Sequence, residues 1–206
     1  MGKLRKISSK WYVIQVRTTM EDAMCWHIER ACEEHDRHAD DEAGRVDLQE
    51  CFSPRYRTQR KWKGEWETVE WPLIPGYVIA DTAHPAQLAE AIRGIRDLCR
   101  LLTDGETYAP LDEKERRWME QWTGKGDRVI PMSFGKKLAD GKIQIVDGPL
   151  QGLETESIEY NRKKNTAHLE FHVGQMRIKT KVGLGILPDK QATTEHEPRV
   201  GIGVRT

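Results

Sequence analysis

Beyond Gly124-Lys125-Gly126 the sequence carries no helical signal at all. This second stretch is a series of short apolar runs: Lys142 to Val146, a segment at Ile158, Ala167 to Val173, Arg177 to Val182 and Leu184 to Leu187. Gly, Pro and Asn turns separate them. Such spacing predicts a small all-β barrel. Before the break, helix and strand patterns alternate. Trp11-Tyr12-Val13-Ile14-Gln15-Val16 reads as a buried strand, and Met24, Ile28, Ala31 and Cys32 form the apolar stripe of a helix from about Met20 to His38. Arg57 to Trp62 and Trp66 to Glu70 flank a turn at Lys63-Gly64-Glu65, which would pair Trp62 with Trp66 across a hairpin. Pro75-Gly76 turns into a second buried strand, and Pro85 opens a helix running to about Arg93. Leu98 to Thr103 comes next as a strand, and Asp112 with Glu115 caps a helix from Glu113 to Trp122. The fold class expected is α+β, an α/β sandwich followed by the barrel. The expected boundaries are a first domain at 9–123, a linker at 124–136, a barrel at 137–188 and a mobile tail at 189–206.

Charge follows the same division. Through Gly124 there are 19 Lys and Arg against 23 Asp and Glu (19 − 23 = −4); from Lys125 onward there are 14 against 10 (14 − 10 = +4). A basic second half fits an anionic partner, with nucleic acid foremost. Within it, Arg177, Lys179 and Lys181 alternate with Met176, Ile178, Thr180 and Val182. Three cations on one strand face, about 6–7 Å apart, can track a phosphate backbone. The turn Arg162-Lys163-Lys164-Asn165 supplies a second basic element. Each taken alone is equally an ordinary solvated face or a soluble turn.

Other chemistries find little purchase. The four cysteines (Cys25, Cys32, Cys51, Cys99) have no zinc-type spacing and read as reduced cytosolic thiols. His35 and His38, at i and i+3, lack a third ligand at a suitable spacing, so no metal or other cofactor is expected. No GxSxG, HExxH or phosphate-binding loop occurs, and no enzymatic activity is expected. Met1 to Lys10 is basic with no apolar segment behind it, and no run approaches the ~20 apolar residues of a membrane span. The expectation is a cytoplasmic monomer. Trp11 is expected in the core. Trp62, Trp66 and Trp71 are hard to bury all at once on a hairpin and form a candidate contact patch.

Two stretches resemble the NusG family of transcription factors. "WYVIQV" (Trp11 to Val16) and "PLIPGYVIAD" (Pro72 to Asp81) resemble its N-terminal domain. "KIQIVDGPLQGLETESIEYNRKKNTAHLEF" (Lys142 to Phe171), with Gly148-Pro149-Leu150-Gln151-Gly152 at its centre, resembles a KOW motif. Leu73-Ile74 stand where the family usually has paired aromatics, and Thr155 stands where a third KOW glycine is common. The ending "KVGLGIL" and the Gly-Pro-Leu loop look closest to the LoaP branch of specialised NusG paralogs. The resemblance implies a NusG-type sandwich followed by an SH3-like KOW barrel. It implies a processive antiterminator that docks on the clamp helices and gate loop of RNA polymerase and binds an RNA hairpin in a leader transcript. By motif, Trp11, Tyr12, Ile74, Pro75, Gly76 and Tyr77 fall at or under the clamp-docking surface, with His84 toward the gate loop. Lys142, Arg162, Lys163, Lys164, Arg177, Lys179 and Lys181 are the candidate RNA contacts. Two alternatives stay open. One is a general elongation factor whose KOW barrel binds Rho or a ribosomal protein; the other is a ribosome-associated protein that binds RNA alone.

Overall fold

The computed structural model describes residues 8–123, 126–152, 159–173 and 176–188, with backbone only at 171–173 and 176. The first part runs β1 (Lys10–Val16), α1 (Glu21–Arg37), β2 (Glu50–Phe52), β3 (Arg55–Trp62), β4 (Glu65–Pro72), β5 (Tyr77–Thr82), α2 (Pro85–Ile92), β6 (Cys99–Leu101), β7 (Thr103–Asp104), β8 (Thr107–Tyr108) and α3 (Glu113–Trp122). Among the described residues the regular elements of the second part are strands: β9 (Val129–Ile130), β10 (Ser133–Lys137), β11 (Ile143–Asp147), β12 (Glu159–Asn161), β13 (Thr166–Val173) and β14 (Met176–Ile186). The segment at Ile158, Thr155, residues 1–7, the tail at 189–206 and the 124–125 part of the glycine break lie outside the described residues.

Strand β1 organises the first part because both its faces are apolar. It sits inside an antiparallel sheet of order β2-β5-β1-β6. Successive strand side chains point to opposite faces, so Tyr12, Ile14 and Val16 go one way and Trp11 and Val13 the other. Tyr12, Ile14 and Val16 pack with Met24, Ile28 and Cys32 of α1 and with Leu88 and Ile92 of α2. Trp11 and Val13 pack with Met119 and Trp122 of α3 and with Tyr56, Leu73 and Ile130. The cluster holding Trp11 continues into Leu150, Ala167, Val182 and Leu184, so one apolar core spans both parts of the chain. Each fully buried Val, Leu, Ile or Met among them contributes about 1.5–3 kcal/mol.

Four features depart from the sequence expectation. The hairpin turns on two residues, Lys63 (φ +48°) and Gly64 (φ +94°), not three. Two positive φ values in a row are the type I′ turn that matches strand twist. Its register opposes Trp62 to Glu65 and Lys61 to Trp66, so the two tryptophans lie on opposite faces and do not pair. Within the stretch expected as a linker, 126–136 carries β9, which pairs parallel with β3, and most of β10, which pairs parallel with β14. Strand β2 and the two-residue pair β7-β8 are additional; both are too short to show a period.

The fourth departure is β14 itself. The sequence pattern separates Arg177 to Val182 from Leu184 to Leu187, yet a single strand runs through Gly183. A β-carbon on Gly183 would lie 2.1 Å from the Arg57 carbonyl oxygen, so only glycine lets β14 run against β3. The approach is fixed on either side. Thr58 Oγ1 donates to the Asn165 carbonyl (2.9 Å), and Thr180 Oγ1 donates to the Leu73 carbonyl.

All four cysteines are free, with Cys25, Cys32 and Cys51 buried and Cys99 partly so. Burial pushes the Cys32 and Cys99 thiols up to about 12. At pH 8 both therefore stay protonated. Iodoacetamide should label them slowly in the native protein and promptly in urea, as followed by mass spectrometry. The packing at Gly183 is tested by substitution. Gly183→Ala should cost about 1–3 kcal/mol in urea unfolding through overpacking, whereas Gly152→Ala, whose β-carbon meets nothing within 4 Å, should cost about 1–2 kcal/mol from its positive φ alone.

Candidate polymerase and nucleic-acid surfaces

The segment Leu73 to Tyr77 passes from the hairpin into β5 beside the start of α1. The Gly76 amide donates to Glu21 Oε1 at 2.8 Å, its carbonyl accepts from the Val16 amide at 2.8 Å, and its φ is +82°. A β-carbon there would meet Thr18 Oγ1 at 3.0 Å. Glu21 is buried at 4% exposure, with its carboxylate at the first turn of α1, where the helix dipole favours negative charge. This acid fixes the loop, and in the sequence it looks like one more charged residue at a helix start.

Of the residues expected at the polymerase surface, Pro75 is exposed and Tyr77 and His84 are half-buried. Trp11, Tyr12, Ile74 and Gly76 are buried, so in this conformation they support the surface instead of meeting a partner. Pro75 to Tyr77 lie at one end of β5 and His84, which precedes α2, lies past the other. Two guanidinium groups lie over the Trp11 ring, that of Arg116 at 5.3 Å and that of Arg128 at 5.2 Å from its centroid. Arg128 also lies over Phe52 at 4.5 Å and grips Glu50 with both Nε and Nη2. Its backbone (φ +52°) accepts from the Arg55 amide, so this residue fastens β9 to the first part of the chain. Nothing in its sequence neighbourhood announces that role.

The expected nucleic-acid residues divide into three places. Arg162, Lys163 and Lys164 are exposed on the β12–β13 turn, where Asn161 Oδ1 accepts from the Lys163 and Lys164 amides and Asn165 takes φ +48°. Arg177 and Lys179 are exposed and Lys181 is half-buried along β14. Their cross-strand partners are His172, Glu170 and His168. Glu170 reaches Arg177 at 3.8 Å and Lys179 at 3.9 Å. Surface pairs of this kind are worth about 0–1 kcal/mol. Lys181 sits at the end of the row nearest the turn, while Arg177 is roughly 20 Å along the strand from Gly183, where the turn closes on β14. Lys142 immediately precedes β11, at the other edge of the five-stranded sheet from β12. The Gly148–Gly152 loop is pinned to β10: the Leu150 amide donates to Ser133 Oγ (3.0 Å), and a β-carbon on Gly148 would lie 2.6 Å from Ser133 Cα.

Among the described residues no group of three or more His, Cys, Asp and Glu side chains is placed to hold a metal, and no helix is long and apolar enough to cross a membrane. A family profile described as "NusG: Transcription termination factor nusG" matches residues 9–120, more than half of the chain. The chain belongs to the NusG family. Members of that family are non-enzymatic transcription factors that bind RNA polymerase. A solved structure titled "Domain interaction in Thermotoga maritima NusG" is similar over 85% of this chain and 93% of that one, at 14% identity and a TM-score of 0.48. No curated protein matches.

Glu21→Ala should leave the buried Gly76 amide without a partner and cost about 1–3 kcal/mol. Glu21→Gln keeps an acceptor oxygen and should lose less. Thermal unfolding of the two variants, together with polymerase binding, checks this; equal losses in both would mean that the carboxylate is not what holds the loop.

Proposed function

We propose that this NusG-family protein is a cytoplasmic processive antitermination factor. Its N-terminal part rides on RNA polymerase through the surface around Pro75, Tyr77 and His84. Its C-terminal sheet, read as a KOW barrel of the LoaP type, holds an RNA hairpin in the leader transcript. The observation that carries the RNA reading is the exposed basic row on β14 leading toward the exposed turn Arg162 to Lys164. These cations sit on a sheet in the more basic half of the chain. Cations in such an array neutralise phosphates and release counterions, which gives affinity without a base-specific pocket.

The logic is one of binding and not of chemistry. A factor that bridges two parts of a polymerase favours the elongating state by its differential affinity for it. An RNA-holding sheet on the same chain raises the local concentration of factor at the transcripts that carry the hairpin. The alternative of a general elongation factor differs in its C-terminal partner, Rho or a ribosomal protein.

Replacing Arg162, Lys163, Lys164 and Arg177 by Ala should weaken binding of a leader RNA hairpin. The plot of log affinity against log salt, measured from about 50 to about 200 mM, should flatten by roughly one for each phosphate no longer held. Unchanged affinity and slope would remove the RNA assignment, and capture of Rho by the same variant would favour the general factor.

A further inference from the structure

The hairpin carries an exposed tryptophan that the polymerase reading does not use. Trp62 is 52% exposed at the tip of β3. Register places Thr58, Arg60 and Trp62 on one face of β3, with Val69, Glu67 and Glu65 opposite them. Thr58 Oγ1 is hydrogen-bonded to the Asn165 carbonyl at 2.9 Å and lies 3.3 Å from that of Lys164. The basic turn therefore abuts the same face of the hairpin, roughly 13 Å along the strand from Trp62. The two elements are about a hundred residues apart in sequence, |i−j| being 107 for the Thr58–Asn165 bond, and the shared core brings them together.

The chemistry of this face is specific. Arg60 lays its guanidinium over the Trp62 ring at 5.3 Å, and the side chain stays half exposed to solvent. Arg60 on this face and Arg162, Lys163 and Lys164 on the turn make four cations, against Glu65 and Glu67 across the strand pair, and Arg60 is itself paired with Glu67 at 3.4 Å. The groups around Trp62 on its own face, Arg60, Glu65 and Glu67, are all charged, so the ring is not part of an apolar patch of the kind a protein partner would cover. An isolated aromatic face beside a cationic turn is the pattern that holds single-stranded nucleic acid: bases stack on the ring and phosphates meet the cations.

We propose that Trp62 is a stacking platform for an unpaired base of a nucleic-acid strand whose phosphates the Arg162–Lys164 turn holds. The inference rests on the reading of that turn as a nucleic-acid contact, and it adds that the ligand presents an unpaired base and that the binding surface is built from both parts of the chain. The strand is either the RNA of the proposed function or an exposed DNA strand of the same chemistry.

The test measures anisotropy of labelled oligo-uridine, of DNA of the corresponding sequence, and of a blunt fully paired RNA duplex, each with the full chain. Trp62→Ala should weaken the single-stranded probes by about tenfold or more and leave both their salt slope and the duplex affinity unchanged, since no charge is removed. Trp62→Phe should restore most of the binding. The triple variant R162A/K163A/K164A should weaken all three probes and flatten the slope. Tighter binding of RNA than DNA would name the transcript as the ligand; equal binding would place the selectivity in the base alone. If the triple variant weakens binding and Trp62→Ala does not, the stacking proposal fails while the basic-turn reading stands. If neither variant changes anything, both fail. An equal loss on the duplex, or a loss confined to polymerase binding, also overturns the platform.

Discussion

The carbonyl oxygen of Arg57 occupies the space that a side chain on residue 183 would need. The way the two parts of the chain sit together depends on that near-touch of two backbones. With no side chain at 183, β14 can lie against β3, and Val182 and Leu184 on either side of the glycine enter the core that Trp11 and Met119 already share. Hydroxyls of Thr58 and Thr180 then take up carbonyls that the close approach would otherwise strand without water. The result is one core under two sheets, and the loop from Leu73 to Gly76 is held from both sides, by the α1 carboxylate and by the C-terminal sheet.

That arrangement has an electrostatic counterpart at Trp11. Two guanidinium groups contact its indole ring, and one of them, Arg128, also binds Glu50 bidentately. A partly buried arginine is costly unless paired, and here pairing and ring stacking coincide. The side chain that closes the core around β1 thereby also anchors the passage into the second part of the chain.

The sequence is most legible where periodicity is strong. Strand β1, the Met24–Ile28–Cys32 stripe, Pro85 at the start of α2 and Asp112 capping α3 can all be read directly, because each is a local rule obeyed by adjacent residues. Legibility fails where a distant partner decides. Gly183 looks like a break, yet it is the place where another part of the chain comes close. Placing the hairpin turn on two residues requires Lys63 in a left-handed conformation, and that single residue decides which tryptophan faces which side. Strands of two or three residues, such as β9, have no pattern to find. At the candidate surfaces, the basic turn and the β14 row stand out by composition, but that the turn abuts the hairpin depends on a hydrogen bond between residues 107 positions apart.

The parallel pairing of β9 with β3 has a consequence for synthesis. Tyr56 and Ile130 are register partners separated by 74 positions (130 − 56). At about 5–20 residues per second, translation takes roughly 4–15 s to supply that partner once Tyr56 has been made. Over this interval the β3–β4 hairpin exists with one edge unpaired, and Leu73 waits still longer for Thr180. Hairpins form in microseconds, so the pace of the ribosome, and not the chain's own collapse, sets when this edge is closed.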